Sequence, residues 1–333
     1  MTSNKKIDKN YIKEIFIKLK DQDRIALSRA ITLVESQNPK HAKIATDLLE
    51  DCLPLSGESI RIGITGTPGV GKSTFIESLG LMYIKNGHKV AVLTIDPSSP
   101  KNKGSVLGDK SRMDKLSHHP QAYIRSSPAR NSLGGTTDRT RETIVLCEAA
   151  KYDVILVETV GVGQSEIEIL NMTDLLLLLA LPGGGDEIQG IKRGIVEVAD
   201  IIIVNKKDRF KEDVVVDTVN TYKFALHLNP IKSSKWSRLV HVCSAITGDG
   251  MNQIFNDIEK YFNLITTSTY LNDNRRDQNE TWLDKKIEYE AISEIKKRIK
   301  DKVDMTIVRS NVNEKKWSVQ HATSEVLKSI FKN

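Results

Sequence analysis

The segment Gly66–Ser73 is the feature that most restricts what this chain can fold into. It reads GTPGVGKS and matches G-x-x-x-x-G-K-[ST], a loop whose backbone N–H groups bind phosphate oxygens. An apolar stretch of strand length, residues 60–65, precedes the loop, and a stretch with helical periodicity follows it. Because such a loop binds phosphate at the N-terminus of the following helix, the motif predicts an α/β fold that binds a nucleotide.

The positions of this loop have expected roles in phosphate and metal binding. The glycines let the backbone curl around the phosphates, Lys72 reaches the β- and γ-phosphates, and the Ser73 hydroxyl binds Mg²⁺. The residues predicted to bind the nucleotide through this loop are Gly66, Pro68, Gly69, Val70, Gly71, Lys72, Ser73 and Thr74.

A second segment, Asn205-Lys-Lys-Asp208, predicts which base is bound. It follows the apolar run 199–204, as the N-K-x-D motif follows a strand in guanine-binding proteins. A carboxylate at Asp208 can accept from guanine N1–H and from the exocyclic N2 amine, which adenine does not offer. Asn205 is expected to brace the loop, and the stem of Lys206 is expected to cover the base.

A third part of a guanine site is expected after the strand-like run 239–242. Cys243-Ser244-Ala245 stands where GTPases place a backbone contact to guanine O6, so Ser244 and Ala245 are predicted to touch the base. The tripeptide alone is too short to indicate a function. It indicates a guanine site here because it follows a phosphate-binding loop and an N-K-x-D segment in the sequence.

Three acidic residues stand at or after strand ends and are candidate ligands for Mg²⁺. Asp96 follows one apolar run, Asp109 lies in a glycine-punctuated loop, and Glu158 ends another apolar run. Parallel strands present their carboxyl ends at one edge of the sheet, where ligands of this fold class bind. Mg²⁺ takes few direct protein ligands and keeps several waters, so Ser73 with one or two of these carboxylates is sufficient. The predicted metal site consists of Ser73, Asp96, Asp109 and Glu158.

Hydrolysis requires groups near the γ-phosphate, and glycine-rich segments supply candidates. Gly161 follows Glu158 by the spacing of a γ-phosphate-sensing glycine after a Walker B acid, and Gln164 is a candidate for orienting the attacking water. The predicted catalytic residues are Lys72, Asp109, Glu158 and Gln164. A further loop, residues 182–190, carries several glycines. The sequence selects no catalytic finger among Arg130, Arg139 and Arg141.

Composition excludes several other classes of protein. The 49 basic and 43 acidic residues are interspersed, so the net charge of +6 does not form a basic arm that would bind nucleic acid. The longest apolar run, residues 175–181, is far shorter than the roughly 20 residues of a membrane span. The chain starts without an apolar signal core, and its cysteines show neither metal-binding nor disulfide spacing. We therefore expect a cytoplasmic protein that binds neither membrane nor nucleic acid.

Apolar periodicity divides the chain into three parts. Residues 1–56 are predicted to form an N-terminal helical extension. Residues 57–265 alternate apolar runs with helical segments, which predicts the mostly parallel, two-sided sheet of a P-loop NTPase fold. Residues 266–333 are predicted to form a helical arm, whose narrow apolar seam suits pairing with a second subunit or packing on the core. Strands are expected at 60–65, 89–95, 153–158, 174–181, 199–204 and 239–243, with a further candidate at 122–125.

These segments together closely resemble the MeaB/ArgK family of GTPases. The resemblance covers about residues 20 to 265 and is carried by the strings GTPGVGKST, DPSSP, GSVLGDKSRMDKL, LGGTTDRTRE, VILVETVGVGQSE and LPGGGDEIQGIKRGIVEVADIIIVNKKD. It implies a P-loop GTPase of the SIMIBI class that binds GTP, GDP and Mg²⁺. It also implies a homodimeric chaperone of adenosylcobalamin-dependent acyl-CoA mutases, chiefly methylmalonyl-CoA mutase, in which the nucleotide state gates cofactor delivery and protects the mutase.

Carried over residue by residue, the resemblance implies the same site as the motifs. The family's phosphate-loop lysine and serine correspond to Lys72 and Ser73, and its mobile switch loop corresponds to residues 182–193. Its guanine-specificity residues correspond to Asn205 and Asp208. Its metal-site acids correspond to Asp96, Asp109 and Glu158.

Two other functions use a similar phosphate-binding loop. A metabolic kinase would transfer phosphate to a small molecule or a protein, but kinases of this fold usually lack N-K-x-D. A GTP-dependent nickel or cobalt insertase usually carries His/Cys-rich motifs, whereas the seven histidines here are scattered and only His118-His119 are adjacent. We keep both functions as alternatives to a mutase chaperone.

Overall fold

The computed structural model describes residues 9–36, 38–96, 112–128, 135–159, 165–184, 193–227 and 232–331. The chain begins with the helices α1 (Lys9–Lys20), α2 (Arg24–Val34) and α3 (Pro39–Cys52). The side chains of Asp23 and Asn38 cap α2 and α3 by accepting backbone N–H groups of the first turn. A short 3-10 helix, Leu53–Leu55, ends this helical extension and leads into the first strand.

The centre of the molecule is a seven-stranded sheet in which every pair of neighbouring strands is parallel. The strands are β1 (Ile60–Gly66), β2 (Val90–Asp96), β3 (Ala122–Pro128), β4 (Val154–Thr159), β5 (Leu175–Ala180), β6 (Ile201–Val204) and β7 (Leu239–Val242). Their order across the sheet is β3-β2-β4-β1-β5-β6-β7. The predicted strands are confirmed, including the further candidate at 122–125, and so is the α/β fold class.

Helices cover both faces of this sheet. They are α4 (Lys72–Lys85), α5 (Asp114–His118), α6 (Gly135–Ala149), α7 (Ser165–Leu170), α8 (Arg193–Val198), α9 (Glu212–His227) and α10 (Met251–Thr266). Neighbouring strand residues point to opposite faces, so Ile155 packs in one apolar cluster with the helical extension while Leu156 packs in the other with α4 and α10. Both faces are buried, which explains why the strands are continuous apolar runs and not alternating patterns.

The helical extension attaches to the edge strand β3. Ser28 on α2 shares a hydrogen bond with the Tyr123 hydroxyl at 3.2 Å. Glu35, just after α2, forms an ion pair with Arg125 and accepts from the Ser127 hydroxyl at 2.6 Å. These polar contacts lie beside a large shared apolar cluster, so the extension is part of the same folded body as the sheet.

The chain ends in α11 (Tyr270–Lys302), α12 (Met305–Asn313) and α13 (Val319–Phe331). It forms two compact units, Met1–Gln278 and Asn279–Asn333. The first unit includes the first residues of α11. Among the described residues, no helix combines the length and the apolar character needed to cross a membrane.

The start of α11 is bound to the first unit by buried polar contacts. Arg275 donates to both carboxylate oxygens of Asp174, at 2.8 and 2.7 Å, and to the carbonyl oxygens of Gly57 and Ser59. Gln278 donates to two backbone carbonyls at the end of α7 and just after it, both at 2.8 Å. A charged group buried on folding needs this kind of full hydrogen bonding.

Candidate guanine-nucleotide site

The phosphate-binding loop connects β1, which ends at Gly66, to α4, which begins at Lys72. Gly66 and Gly71 have positive φ angles of 147° and 99°. A Cβ on Gly66 would lie 2.4 Å from the carbonyl oxygen of Leu179, and one on Gly71 would lie 2.8 Å from Asn205 Nδ2. Both places exclude a side chain, so the path of the loop requires the two glycines that the motif supplies.

Lys72 is 7% exposed and lies across the start of this loop. Its Nζ donates to the carbonyl oxygen of Gly66 at 2.8 Å and to that of Thr67 at 3.1 Å. The ammonium group is therefore held close to the loop at the positive end of α4. A cation and a helix N-terminus at one place form the electrostatic arrangement that binds phosphate groups.

Ser73 and Glu158 bring a hydroxyl and a carboxylate together beside the loop. Ser73 Oγ donates to Glu158 Oε1 across 3.4 Å, and Glu158 is 4% exposed. The register of the sheet places Glu158 between Ile64 of β1 and Thr94 of β2. Both side chains supply the oxygen ligands that Mg²⁺ prefers, so the pair fits a magnesium site.

The structure describes the other predicted metal and hydrolysis residues only in part. Asp96 is the last residue of β2, and its backbone pairs with Pro128 of β3. Outside the described residues lie Asp109, Gly161, Gln164 and, within the loop 182–193, residues 185–192. In the described part of the chain, no group of three His, Cys, Asp or Glu side chains could hold a metal ion. Ser73 and Glu158 are therefore the predicted metal-site residues whose side chains the structure brings together.

Asn205 joins the guanine motif to the phosphate-binding loop. It directly follows β6 and is 1% exposed. Its Nδ2 donates to the carbonyl oxygen of Val70 at 3.0 Å, while its Oδ1 accepts from Ala245 N–H at 3.1 Å and from Cys243 Sγ at 3.4 Å. One buried amide side chain thus holds together three loops that are distant in sequence, which are the loops expected to surround the nucleotide.

Lys206 and Asp208 complete the motif on the outer side of Asn205. Lys206 has a left-handed backbone with φ 62°, and its Nζ donates to the carbonyl oxygen of Gly69 at 2.5 Å. Asp208 lies in the short 3-10 helix Lys207–Arg209. The Ser244 hydroxyl donates to the Asp208 carboxylate and lowers its pKa below the usual value. The carboxylate is therefore an ionised acceptor at neutral pH, as guanine recognition requires.

Two contacts at this site are not indicated by the sequence. Lys207 forms an ion pair with Asp249, which connects the guanine motif to the loop after β7. Ser78 on α4 donates its hydroxyl to the carbonyl oxygen of Ala245 at 2.8 Å. Neither Asp249 nor Ser78 belongs to the motifs described above, and the partners become neighbours only when the strands are arranged in the sheet.

The candidate arginines differ in their surroundings. Arg139 on α6 donates to the backbone carbonyls of Glu35 and Ser36 in the helical extension. Arg141, also on α6, is 7% exposed, and Arg130 lies outside the described residues. The positions of Arg139 and Arg141 therefore do not select either of them as a catalytic finger.

Comparison with known proteins places the chain in a family. Residues 27–301 match the family described as methylmalonyl Co-A mutase-associated GTPase MeaB. The GTPase ArgK of Escherichia coli (strain K12) is 43% identical over 289 residues, which cover 87% of each chain. The mitochondrial methylmalonic aciduria type A homolog of Mus musculus is 40% identical over 289 residues, 83% of this chain and 69% of that one. A crystal structure of a LAO/AO transport system kinase matches with a TM-score of 0.75 and 34% identity, covering 98% of this chain and 100% of that one. This chain belongs to the MeaB family of GTPases.

Proposed function

We propose that this GTPase is a chaperone of an acyl-CoA mutase, chiefly methylmalonyl-CoA mutase. It gates the delivery of adenosylcobalamin to that mutase and protects the enzyme. The observation that carries the proposal is the match of residues 27–301 to a family of mutase-associated GTPases. The mouse relative, named for methylmalonic aciduria, supports the same biochemistry. Hydrolysis of GTP to GDP and phosphate belongs to the family, and its coupling to a mutase is the step proposed here.

We assign the phosphates to the start of α4 and guanine to the loops after β6 and β7. Lys72 would exchange its loop carbonyls for oxygens of the β- and γ-phosphates. Asp208 would accept the guanine N1–H and N2 amine, and the Ala245 N–H, which donates to Asn205 Oδ1 in this structure, would be shared between that oxygen and guanine O6. The buried hydrogen bonds of Asn205 support this assignment, because they fix the separation between the phosphate-binding loop and the loop proposed to contact guanine.

Mg²⁺ fits beside the phosphates, where the oxygens of Ser73 and Glu158 stand 3.4 Å apart. We propose that these two hold the ion, directly or through water, and that Asp96 and Asp109 complete the acidic set. The bound ion would neutralise charge on the phosphate oxygens. Gln164 is the residue we propose to orient the attacking water.

We further propose that the protein acts in the cytoplasm as a homodimer. Leu283 and Ile287, one turn apart on α11, are exposed, as is Ile292 further along, and exposed large apolar side chains favour a protein partner. Three free, buried cysteines suit a reducing compartment. The loop 182–193 is our candidate for transmitting the nucleotide state to the mutase.

The test is to mix the purified protein with the mutase of the same organism and to follow complex formation and GTP turnover. We expect binding to depend on the nucleotide by about 1–3 kcal/mol, or roughly 5- to 150-fold in affinity. By reciprocity, the mutase should shift nucleotide affinity by the same factor. Lys72→Ala, which removes the ammonium group from the phosphate site, should abolish turnover and the dependence on nucleotide.

The alternative functions predict different products, which are measured by adding a small-molecule acceptor or a metal-free apoenzyme to the same reaction. Because one structural relative is named a transport system kinase, phosphate transfer is the first alternative to examine. No complex in any nucleotide state, together with phosphate on a small-molecule acceptor, would favour a kinase. GTP-dependent transfer of nickel or cobalt to an apoenzyme would favour an insertase. Phosphate released to water, together with a mutase complex, supports the chaperone.

A further inference from the structure

The loop that carries the proposed guanine-O6 contact is a closed turn. Ser244 N–H donates to the Asp249 carbonyl oxygen and Gly248 N–H to the Ser244 carbonyl oxygen, both at 2.9 Å. Gly250 follows with φ 79°, and a Cβ there would lie 2.2 Å from the carbonyl oxygen of Val242. These internal contacts make the loop rigid, so its position in the molecule depends on the contacts that join it to neighbouring elements.

Ala245, at the centre of this loop, is held from two different elements. Its N–H donates to Asn205 Oδ1 at 3.1 Å, and its carbonyl oxygen accepts from Ser78 Oγ at 2.8 Å. Ala245 is 5% exposed, so this residue has little access to water that could replace a lost donor. Loss of the Ser78 hydroxyl should therefore loosen the Ala245 backbone.

Ser78 is on the same helix as the phosphate-binding residues. Helix α4 begins at Lys72, and Ser78 comes six positions later, which is about 9 Å along a helix axis. One rigid element thus offers Lys72 and Ser73 at the phosphate end and a hydroxyl donor at the guanine end. Asn205 also connects the two ends, but it belongs to the base-reading motif, whereas Ser78 reaches Ala245 directly from the phosphate-binding helix.

We propose that Ser78 is a positioning residue that sets the guanine loop relative to the phosphate-binding helix and thereby slows nucleotide release. The inference rests on the proposed placement of guanine between Asp208 and Ala245. A nucleotide held at both ends leaves when one end loosens, and the Ser78 hydrogen bond keeps the guanine end in place. Because Ser78 acts through Ala245, it governs nucleotide retention and not cleavage of the β–γ bond.

The test is the dissociation rate of a fluorescent GDP analogue, chased with unlabelled GDP. Ser78→Ala should release GDP about threefold to tenfold faster than wild type, the effect of one lost hydrogen bond. Ser78→Thr keeps the hydroxyl and should release GDP within about twofold of wild type. The control is Ser329→Ala, because the Ser329 hydroxyl donates to Glu325 within its own helix. Single-turnover hydrolysis at saturating GTP should change by less than about twofold in all three variants.

Release at the wild-type rate from Ser78→Ala would overturn the inference. Equally fast release from Ser78→Ala and Ser78→Thr would also overturn it, because the hydroxyl would then not be the cause. The placement of guanine is tested separately with Asp208→Asn. If that variant still prefers GDP to xanthosine diphosphate, the proposed site is wrong. If its preference switches while Ser78→Ala releases GDP normally, only the role of Ser78 is rejected.

Discussion

The Asp208 side chain is 27% exposed, and the Ser244 hydroxyl lowers the pKa of its carboxyl group. Asp208→Asn replaces one of the two carboxylate acceptor oxygens by an NH₂ donor, so we expect GTP affinity to fall by roughly 10⁴-fold. The variant should instead accept xanthosine triphosphate, whose base has a carbonyl where guanine has its amine. Calorimetry with both nucleotides measures the switch, with Asp217→Asn on α9 as a matched control. Unchanged GTP affinity in Asp208→Asn would show that Asp208 does not bind guanine.

Glu158 is the acid whose side chain the structure places beside the Ser73 hydroxyl. Glu158→Gln keeps the volume of this buried side chain but removes the charge that attracts Mg²⁺. We expect the Mg²⁺ concentration at half-maximal GTP turnover to rise about 10- to 100-fold, and kcat to fall. Glu212→Gln, at the exposed start of α9, should match wild type. A wild-type Mg²⁺ titration for Glu158→Gln would show that other carboxylates hold the metal.

At the scale of single residues, the sequence predicts those that belong to local motifs. It does not predict residues whose contact partners are distant in the sequence. Asn205 can be predicted, because N-K-x-D is contiguous and follows a strand. Ser78 cannot, because its partner Ala245 is 167 positions away and no local pattern marks a serine on a helix as a donor to it. Lys207 and Asp249 are likewise joined only by the arrangement of β6 beside β7.

At the scale of elements, the sheet is predictable because burial on both faces leaves a direct trace in the sequence. The strand β5 is five leucines and an alanine, all buried, as expected of a central parallel strand. The ion pairs at the strand starts leave no such trace. Arg61 and Glu148 are 87 positions apart, and Arg275 and Asp174 are 101 apart, so they form only once the topology is set.

The Arg275–Asp174 pair should contribute strongly to the stability of the first unit. The Asp174 side chain is 0% exposed, so Arg275→Ala would leave a buried carboxylate without its main partner. We expect the free energy of unfolding to fall by about 3–5 kcal/mol, measured by urea denaturation. Arg276→Ala is the matched control, because that neighbouring side chain is 64% exposed and should cost less than about 1 kcal/mol. Equal, small losses in both variants would show that Asp174 is accommodated without Arg275.

At the scale of the whole molecule, the first compact unit ends inside a helix. Helix α11 is continuous from Tyr270 to Lys302 and highly charged, so no composition change marks the transition at Gln278. The structure shows the transition through burial: Arg275 and Gln278 bind carbonyls of the first unit, whereas Leu283 and Ile287 further along the helix are exposed.

This transition determines how the proposed dimer should be tested. A chain ending at residue 278 keeps Arg275 and Gln278 but loses the exposed apolar residues of α11. We expect the full-length protein to be a dimer by light scattering at micromolar concentration. The 1–278 chain should be a monomer that binds GTP within about twofold of wild type, because the proposed site lies in the first unit.

Two further proteins separate loss of the interface from loss of folding. Leu283→Glu with Ile287→Glu, in the full-length chain, places charges on two exposed apolar positions and should give a monomer that still unfolds cooperatively, with a Tm lowered only by the loss of association. A chain ending at residue 269 lacks Arg275 and should unfold at a lower temperature than the 1–278 chain, since Asp174 then loses its buried partner. A monomeric full-length protein, or a 1–278 chain that still dimerises, would contradict a dimer formed through the second unit. In the latter case the interface must lie on the first unit, and the double glutamate variant would remain dimeric.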